Sequence, residues 1–133
     1  MPGETDLAHL LRTMKPERQA GTYVFCTVAS LEGLALTDCL GTFREREGFT
    51  LILPQPTADR LHLPYSYVAA WITLTVHSAL EAVGLTAAVA QGLARGGVSC
   101  NVVAAYYHDH LFVPAHAADT ALHLLQHLTE ANG

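Results

Sequence analysis

Residues 68–95 constrain the fold more than any other part of this chain. Residues 68–76, Val-Ala-Ala-Trp-Ile-Thr-Leu-Thr-Val, form the most strand-like run in the sequence. His77 and Ser78 end it, and Ser78 with Glu81 matches the S-x-x-E pattern in which a hydroxyl and a carboxylate satisfy free amides at a helix start. From that cap a helix is expected to run towards Arg95, where Gly96-Gly97 supplies a residue able to take a left-handed stop. A strand over 98–107 follows, with Val98, Cys100, Val102 and Ala104 on one face and Ser99, Asn101 and Val103 on the other. His108-Asp109 makes a turn and 110–113 returns as a strand. Residues 117–128 then read as a helix, with Ala118, Ala121, Leu122, Leu125 and Leu128 at helical spacing. Strand, helix, strand, strand, helix is the order of a sheet backed by helices.

The upstream part follows the same plan without its first helix. Residues 6–14 read as a short helix with Leu7, Leu10, Leu11 and Met14 on one face, and Pro16 follows. Gly21 opens a strand over 22–28, rich in β-branched and aromatic residues, and 29–38 is expected to be loop. A hairpin over 39–46 and 49–53 turns at Glu47-Gly48, Pro54 and Pro56 close it, and 57–61 has room only for a short helix. No residue-level repeat accompanies this parallel. On element order alone the chain is expected to be α+β, divided into halves 1–65 and 66–133.

Composition narrows the function classes. Half of the 133 residues are apolar and 14% are charged, which supplies enough buried surface to offset the entropy of ordering. Seven basic against twelve acidic residues give a formal charge of −5, and beyond Arg60 only Arg95 is basic. Phosphate contacts need a basic face, so neither nucleic acid nor an anionic membrane surface is an expected partner. The apolar stretch 79–94 is broken by Glu81 and Gln91 and is too short to span a bilayer. The acidic start lacks the pattern of an export signal. Cys26, Cys39 and Cys100 are odd in number and show no metal-type pairing, which fits a reducing cytoplasm. Cys26 and Cys100 read as small buried hydrophobes.

The stretch 84–102 resembles an ACT domain. Gly84, Leu85, Leu93-Ala94, Gly97, Val98 and Ser99 match the run of glycine, hydrophobic residue, helix ending in Leu-Ala, glycine and strand. Over most of its length the chain is similar to the small stand-alone tandem ACT-like proteins of bacteria. The segments that carry this include Met14-Lys15-Pro16, Phe43-Arg44-Glu45, and residues 21–28, 47–54, 72–88 and 99–114. The resemblance implies two ferredoxin-like βαββαβ units with antiparallel sheets backed by helices, the N-terminal one degenerate. It also implies amino-acid binding, as in aspartate kinase regulatory domains, a homodimer joined edge to edge, and no cofactor.

Two constellations are candidates for function. The first is the loop after residue 76 with the strand that follows the helix: His77, Ser78, Ala82, Val83 and Gly84 with Ser99, Cys100 and Asn101. Gly84 removes a side chain at the helix start, so a ligand carboxylate can meet backbone amides there. Ser99 and Asn101 can face its polar end. The plain alternative makes Gly84 a close-packing residue and the other two ordinary surface groups. The second constellation is His77, His108, Asp109 and His110. The crossover brings the end of 68–76 to the sheet edge where the 107–111 turn lies, so three imidazoles and a carboxylate can hold zinc in a small metal-dependent enzyme. In the plain alternative Asp109 caps its turn and the histidines bond loop carbonyls. Arg44-Glu45-Arg46-Glu47 reads as a solvated edge, and His116, His123 and His127 as surface residues.

Overall fold

The computed structural model describes residues 6–76 and 83–131. In chain order these form α1 (Leu7–Thr13), β1 (Pro16–Arg18), β2 (Tyr23–Val28), a 3-10 turn (Leu36–Asp38), β3 (Gly41–Glu45) and β4 (Gly48–Pro54). Then come α2 (Gln55–Arg60), β5 (Val68–Leu74), α3 (Leu85–Arg95), β6 (Asn101–Ala104), β7 (Asp109–Pro114), a 3-10 turn (Ala115–Ala117) and α4 (Ala118–Ala131). This is the α+β architecture that the element order predicts, with antiparallel strand pairs.

The chain forms two compact units. One joins the stretch up to Ala20 to Ala70–Gly133, and the other is Gly21–Ala69. In this grouping α1 and β1 cluster with the C-terminal portion. In that first unit β5 lies between β1 and β7, and β6 is the outer strand. The β1 pairing sets Pro16 opposite Leu74 and Arg18 opposite Ile72. Proline has no N–H to give, and the first residue of a short edge strand is where that loss is tolerated.

Burial in the first unit follows the two periodicities. Ile72 and Leu74 of β5 and Leu111 and Val113 of β7 point to one face, at a period of two. Leu85, Val89 and Leu93 of α3, Ala118, Ala121 and Leu125 of α4, and Leu10 and Met14 of α1 cover that face. Asp6 caps α1, its carboxylate accepting from the amides of Ala8 at 3.1 Å and His9 at 3.4 Å. The end of α3 also follows the sequence. Gly97 takes φ +79°, its N–H donates to Ala94 O, and the Val98 N–H donates to Leu93 O, both at 3.0 Å. Val98 and Leu93 pack in the same core, which completes the helix stop. That stop is why β6 is shorter than expected: 98–100 finish the helix and turn before the ladder begins at Asn101.

The second unit is smaller. β4 pairs with β2 from Tyr23↔Pro54 to Val28↔Phe49 and with β3 from Gly41↔Ile52 to Glu45↔Gly48. The first residues of β5 pair on the other side of β2, Tyr23↔Ala69 and Val24↔Val68. Val24, Cys26, Leu51 and Leu53 share a face, which Ala58 of α2 covers. β3 is the outer strand and largely exposed, as the alternating charges of 44–47 predict. Thr22, Gln55, Tyr65 and Asp59 form a chain of hydrogen bonds that ties α2 to its flanks: Thr22 Oγ1 to Gln55 Oε1 at 2.7 Å, Gln55 Nε2 to Tyr65 Oη at 2.9 Å, and Tyr65 Oη to Asp59 Oδ1 at 2.7 Å.

Candidate functional site

The start of α3 is the first expected site. Within the described residues the helix begins at Leu85, so the Ser78–Glu81 cap lies outside them, as do His77 and Ala82. Gly84 sits at the N-cap with φ +98° and offers no side-chain cap. The Ala88 N–H reaches back to Gly84 O at 2.9 Å, so the amides of the first turn before it have no acceptor inside the helix. Glycine is required here by the backbone itself, because an L side chain rarely adopts that φ. A Cβ built on Gly84 would also lie 3.1 Å from Leu7 Cδ2. Val83 beside it is 81% exposed.

Ser99 and Asn101 are exposed and Cys100 is half-buried. They follow the far end of α3, and an eleven-residue helix is about 16 Å long. Gly84 and Ser99 of one chain therefore stand at opposite ends of the helix.

The second expected site lies where β5 ends. His108 Nδ1 is 3.4 Å from Val76 O, so the turn between β6 and β7 does meet the end of β5 as the crossover argument predicts. Its three successive residues then diverge. Asp109 is buried, and burial pushes its carboxyl pKa up, against the lowering influence of His110 and His108. His110 faces the opposite side of the sheet. Its Nδ1 accepts from Trp71 Nε1 at 3.0 Å and lies 3.1 Å from Thr73 Oγ1, which in turn accepts from Gln19 Nε2 at 3.0 Å. An Nδ1 that accepts an indole N–H carries no proton, so the neutral ring holds its hydrogen on Nε2. Burial, helped by His108, lowers the His110 pKa, with Asp109 opposing. Among the described residues no three His, Cys, Asp or Glu side chains converge as metal ligands, and His77 lies outside them.

Gln19, Trp71 and Thr73 are partners of the His110 network that sequence reasoning missed. The alternation of 70–74 carried part of the signal, since Trp71 and Thr73 fall opposite the core-facing Ala70, Ile72 and Leu74. Gln19 needed the β1 pairing, which no local pattern announces.

Two clefts lie elsewhere. In the second unit a groove of about 600 Å³ runs between Phe25, Thr27, Thr50 and Tyr65, with the Cys26 thiol among its lining. In the first unit a cleft of about 460 Å³ is lined by Arg12, Lys15, Gln126 and Thr129. Thiolate chemistry has no support at either cysteine read as core: burial raises the pKa of Cys26, and raises Cys100 to about 11. No helix among the described residues is long and apolar enough to cross a membrane.

Comparison with known proteins agrees with this architecture. The ACT-domain family is matched over residues 2–70 and, by a second ACT-domain profile, over residues 66–127. A solved Vibrio cholerae protein of unknown function, described as a possible transport protein, is 49% identical; the match covers 92% of this chain and 95% of that one, with a TM-score of 0.83. The ligand-free regulatory subunit of aspartate kinase from Thermus thermophilus is 10% identical over 89% of this chain and 98% of that one, with a TM-score of 0.60. Escherichia coli aspartokinase III, in complex with aspartate and ADP, is 15% identical over 90% of this chain and 33% of its own, also with a TM-score of 0.60. The two kinase likenesses concern the fold alone. No curated protein matches the chain.

Proposed function

Because this chain belongs to the ACT-domain family, matched twice in tandem, we propose that it is a regulatory module that binds an amino acid and has no catalysis of its own. ACT domains are regulatory, ligand-binding units, and the amino-acid class is carried over from the likeness to the regulatory subunit of aspartate kinase. The observation that supports a site in this chain is the start of α3, where a glycine N-cap leaves the first-turn amides uncapped. Such amides carry partial positive charge and suit a carboxylate. The ligand's carboxylate meets α3 beside Val83 and Gly84, and Ser99 and Asn101 face its polar end.

The length of α3 gives this reading a quaternary consequence. One small amino acid does not reach from Gly84 to the Ser99 and Asn101 of the same chain, so those groups come from a second copy and the site lies at the seam of a homodimer. The protein works in the cytoplasm without a cofactor, and its net charge of −5 argues against nucleic acid or anionic membrane as partner. A thermal-shift screen of the twenty amino acids tests the reading: one should stabilise the protein saturably, and no response to any would sink it. The metal-dependent enzyme of His77, His108, Asp109 and His110 draws support from the approach of His108 to Val76. The commitment of His110 Nδ1 to Trp71 weighs against it. Zinc that co-purifies in stoichiometric amount would restore it.

A further inference from the structure

Asp109 is the only charged side chain among the described residues that is buried, at 8% exposure. It opens β7 on the same side as Leu111 and Val113, the side that α3 and α4 cover. No hydrogen bond reaches its carboxylate among the described residues, yet neither oxygen is sealed from solvent. The position is set by the topology. Asp109 pairs with Ala104 at the end of β6, and the neighbouring His108 touches Val76 just beyond β5. Both β5 and β6 finish at this end of the unit, so α3, which leads from one to the start of the other, must begin here. The uncapped first turn of α3 and the buried carboxylate thus share one end of the first unit.

A carboxylate held largely out of water, with no hydrogen bond from the described residues, is favoured by a cation beside it or by a proton. His110 does not supply that cation, since its Nδ1 accepts the Trp71 indole N–H and its ring is neutral. We infer that Asp109 recognises the cationic nitrogen of the ligand, so that the site takes zwitterions, with the carboxylate on α3 and the ammonium on Asp109. This inference rests on the amino-acid reading above and deepens it: a carboxylic acid without an amine leaves Asp109 unpaired and is rejected.

The test uses the full chain and the twenty L-amino acids. For the one giving the largest thermal shift, its des-amino acid is titrated beside it (propanoate for alanine, succinate for aspartate), against both the native protein and Asp109→Asn. The native protein should bind the amino acid about 10- to 100-fold more tightly than the des-amino acid, the scale of one hydrogen bond to a charged group. Asp109→Asn should lose that preference while melting no lower than the native protein without ligand. If the asparagine variant does not fold, equal affinity of the native protein for the two ligands still overturns the role of Asp109. Equal affinity for the two ligands, or a variant that keeps the preference, overturns the role of Asp109 and leaves the amino-acid reading standing. No response to any amino acid overturns both.

Discussion

The two units are built from similar strand pairs, yet they are backed very differently. Among the described residues, three helices cover the sheet of the first and its core cluster holds fifteen buried residues, against five in the second, where one six-residue helix does the covering. Burial drives stability in proportion to apolar area, so the first unit holds the larger reserve. It holds a left-handed N-cap at Gly84, a buried carboxylate at Asp109 and a four-residue network around His110, where the second unit has its own polar chain, Thr22–Gln55–Tyr65–Asp59, and a glycine at φ +147°. The second unit, with an exposed outer strand and a neutral open groove, has little reserve to spend. The difference teaches that similar strand pairs can carry cores of different size, and that among the described residues the buried carboxylate lies in the unit with the larger one.

Core truncation should separate the units most strongly. Leu93→Ala and Leu51→Ala each remove a fully buried side chain and should each cost about 3 kcal/mol. Because the second core is small, Leu51→Ala should erase amide-exchange protection in β2 and β4 before protection in α3 and α4 falls. Equal loss throughout both units would break the comparison.

Two glycines sharpen it at the next scale. Gly48 has φ +147°, and a Cβ there would sit 2.5 Å from the Val28 carbonyl oxygen. Gly48→Ala should therefore cost about 3 kcal/mol in urea unfolding, since backbone cannot move aside cheaply. At Gly96 a Cβ would meet Leu124 Cδ1, the far end of a flexible side chain. Gly96→Ala should cost only about 1 kcal/mol. The reverse order would contradict the packing described here.

The pH dependence should belong to the first unit. His110 has a lowered pKa in the folded protein, so between that value and about 6.5 the unfolded chain holds the extra proton and stability falls as pH falls. Asp109 acts in the opposite sense: its raised pKa means that the folded state gains stability as pH drops through it. His110→Gln should flatten the decline below about pH 6.5 in chemical denaturation. An unchanged slope in His110→Gln would remove His110 as its source.

Thiol labelling carries the smallest effect, without change in stability. Cys39 and Cys100 are both half-buried and Cys26 is buried; burial and Asp38 raise the Cys39 pKa, and burial pushes Cys100 up to about 11. Alkylation at pH 8 followed by mass spectrometry should find Cys39 modified first. Cys100 reacting ahead of it would contradict the burial of that thiol.

The sequence was most legible where a local pattern carries the structure. Gly96-Gly97 followed by Val98 announced the end of α3, and the apolar spacing of 118–128 announced α4 with its buried face. β1 was not legible. Its three residues follow Pro16, which reads as the stop of α1, and it exists only because Leu74 and its neighbours lie opposite. The Gln19–Thr73–His110–Trp71 network failed to show for the same reason, as it joins three strands distant in sequence. Asp109 read as a turn cap, because type and spacing describe a turn well. Its burial comes from the core-facing register of β7, which spacing alone does not supply.

The central claim is that the ligand site belongs to the first unit, at the start of α3. Amide NMR of the full chain titrated with the amino acid that gives the largest thermal shift tests it most directly. The account predicts saturable shifts at Val83, Gly84, Leu85, Thr86, Ser99, Asn101 and Asp109, with β3 and β4 silent. Shifts confined to Phe25, Thr27, Thr50 and Tyr65 around the groove of the second unit would contradict it.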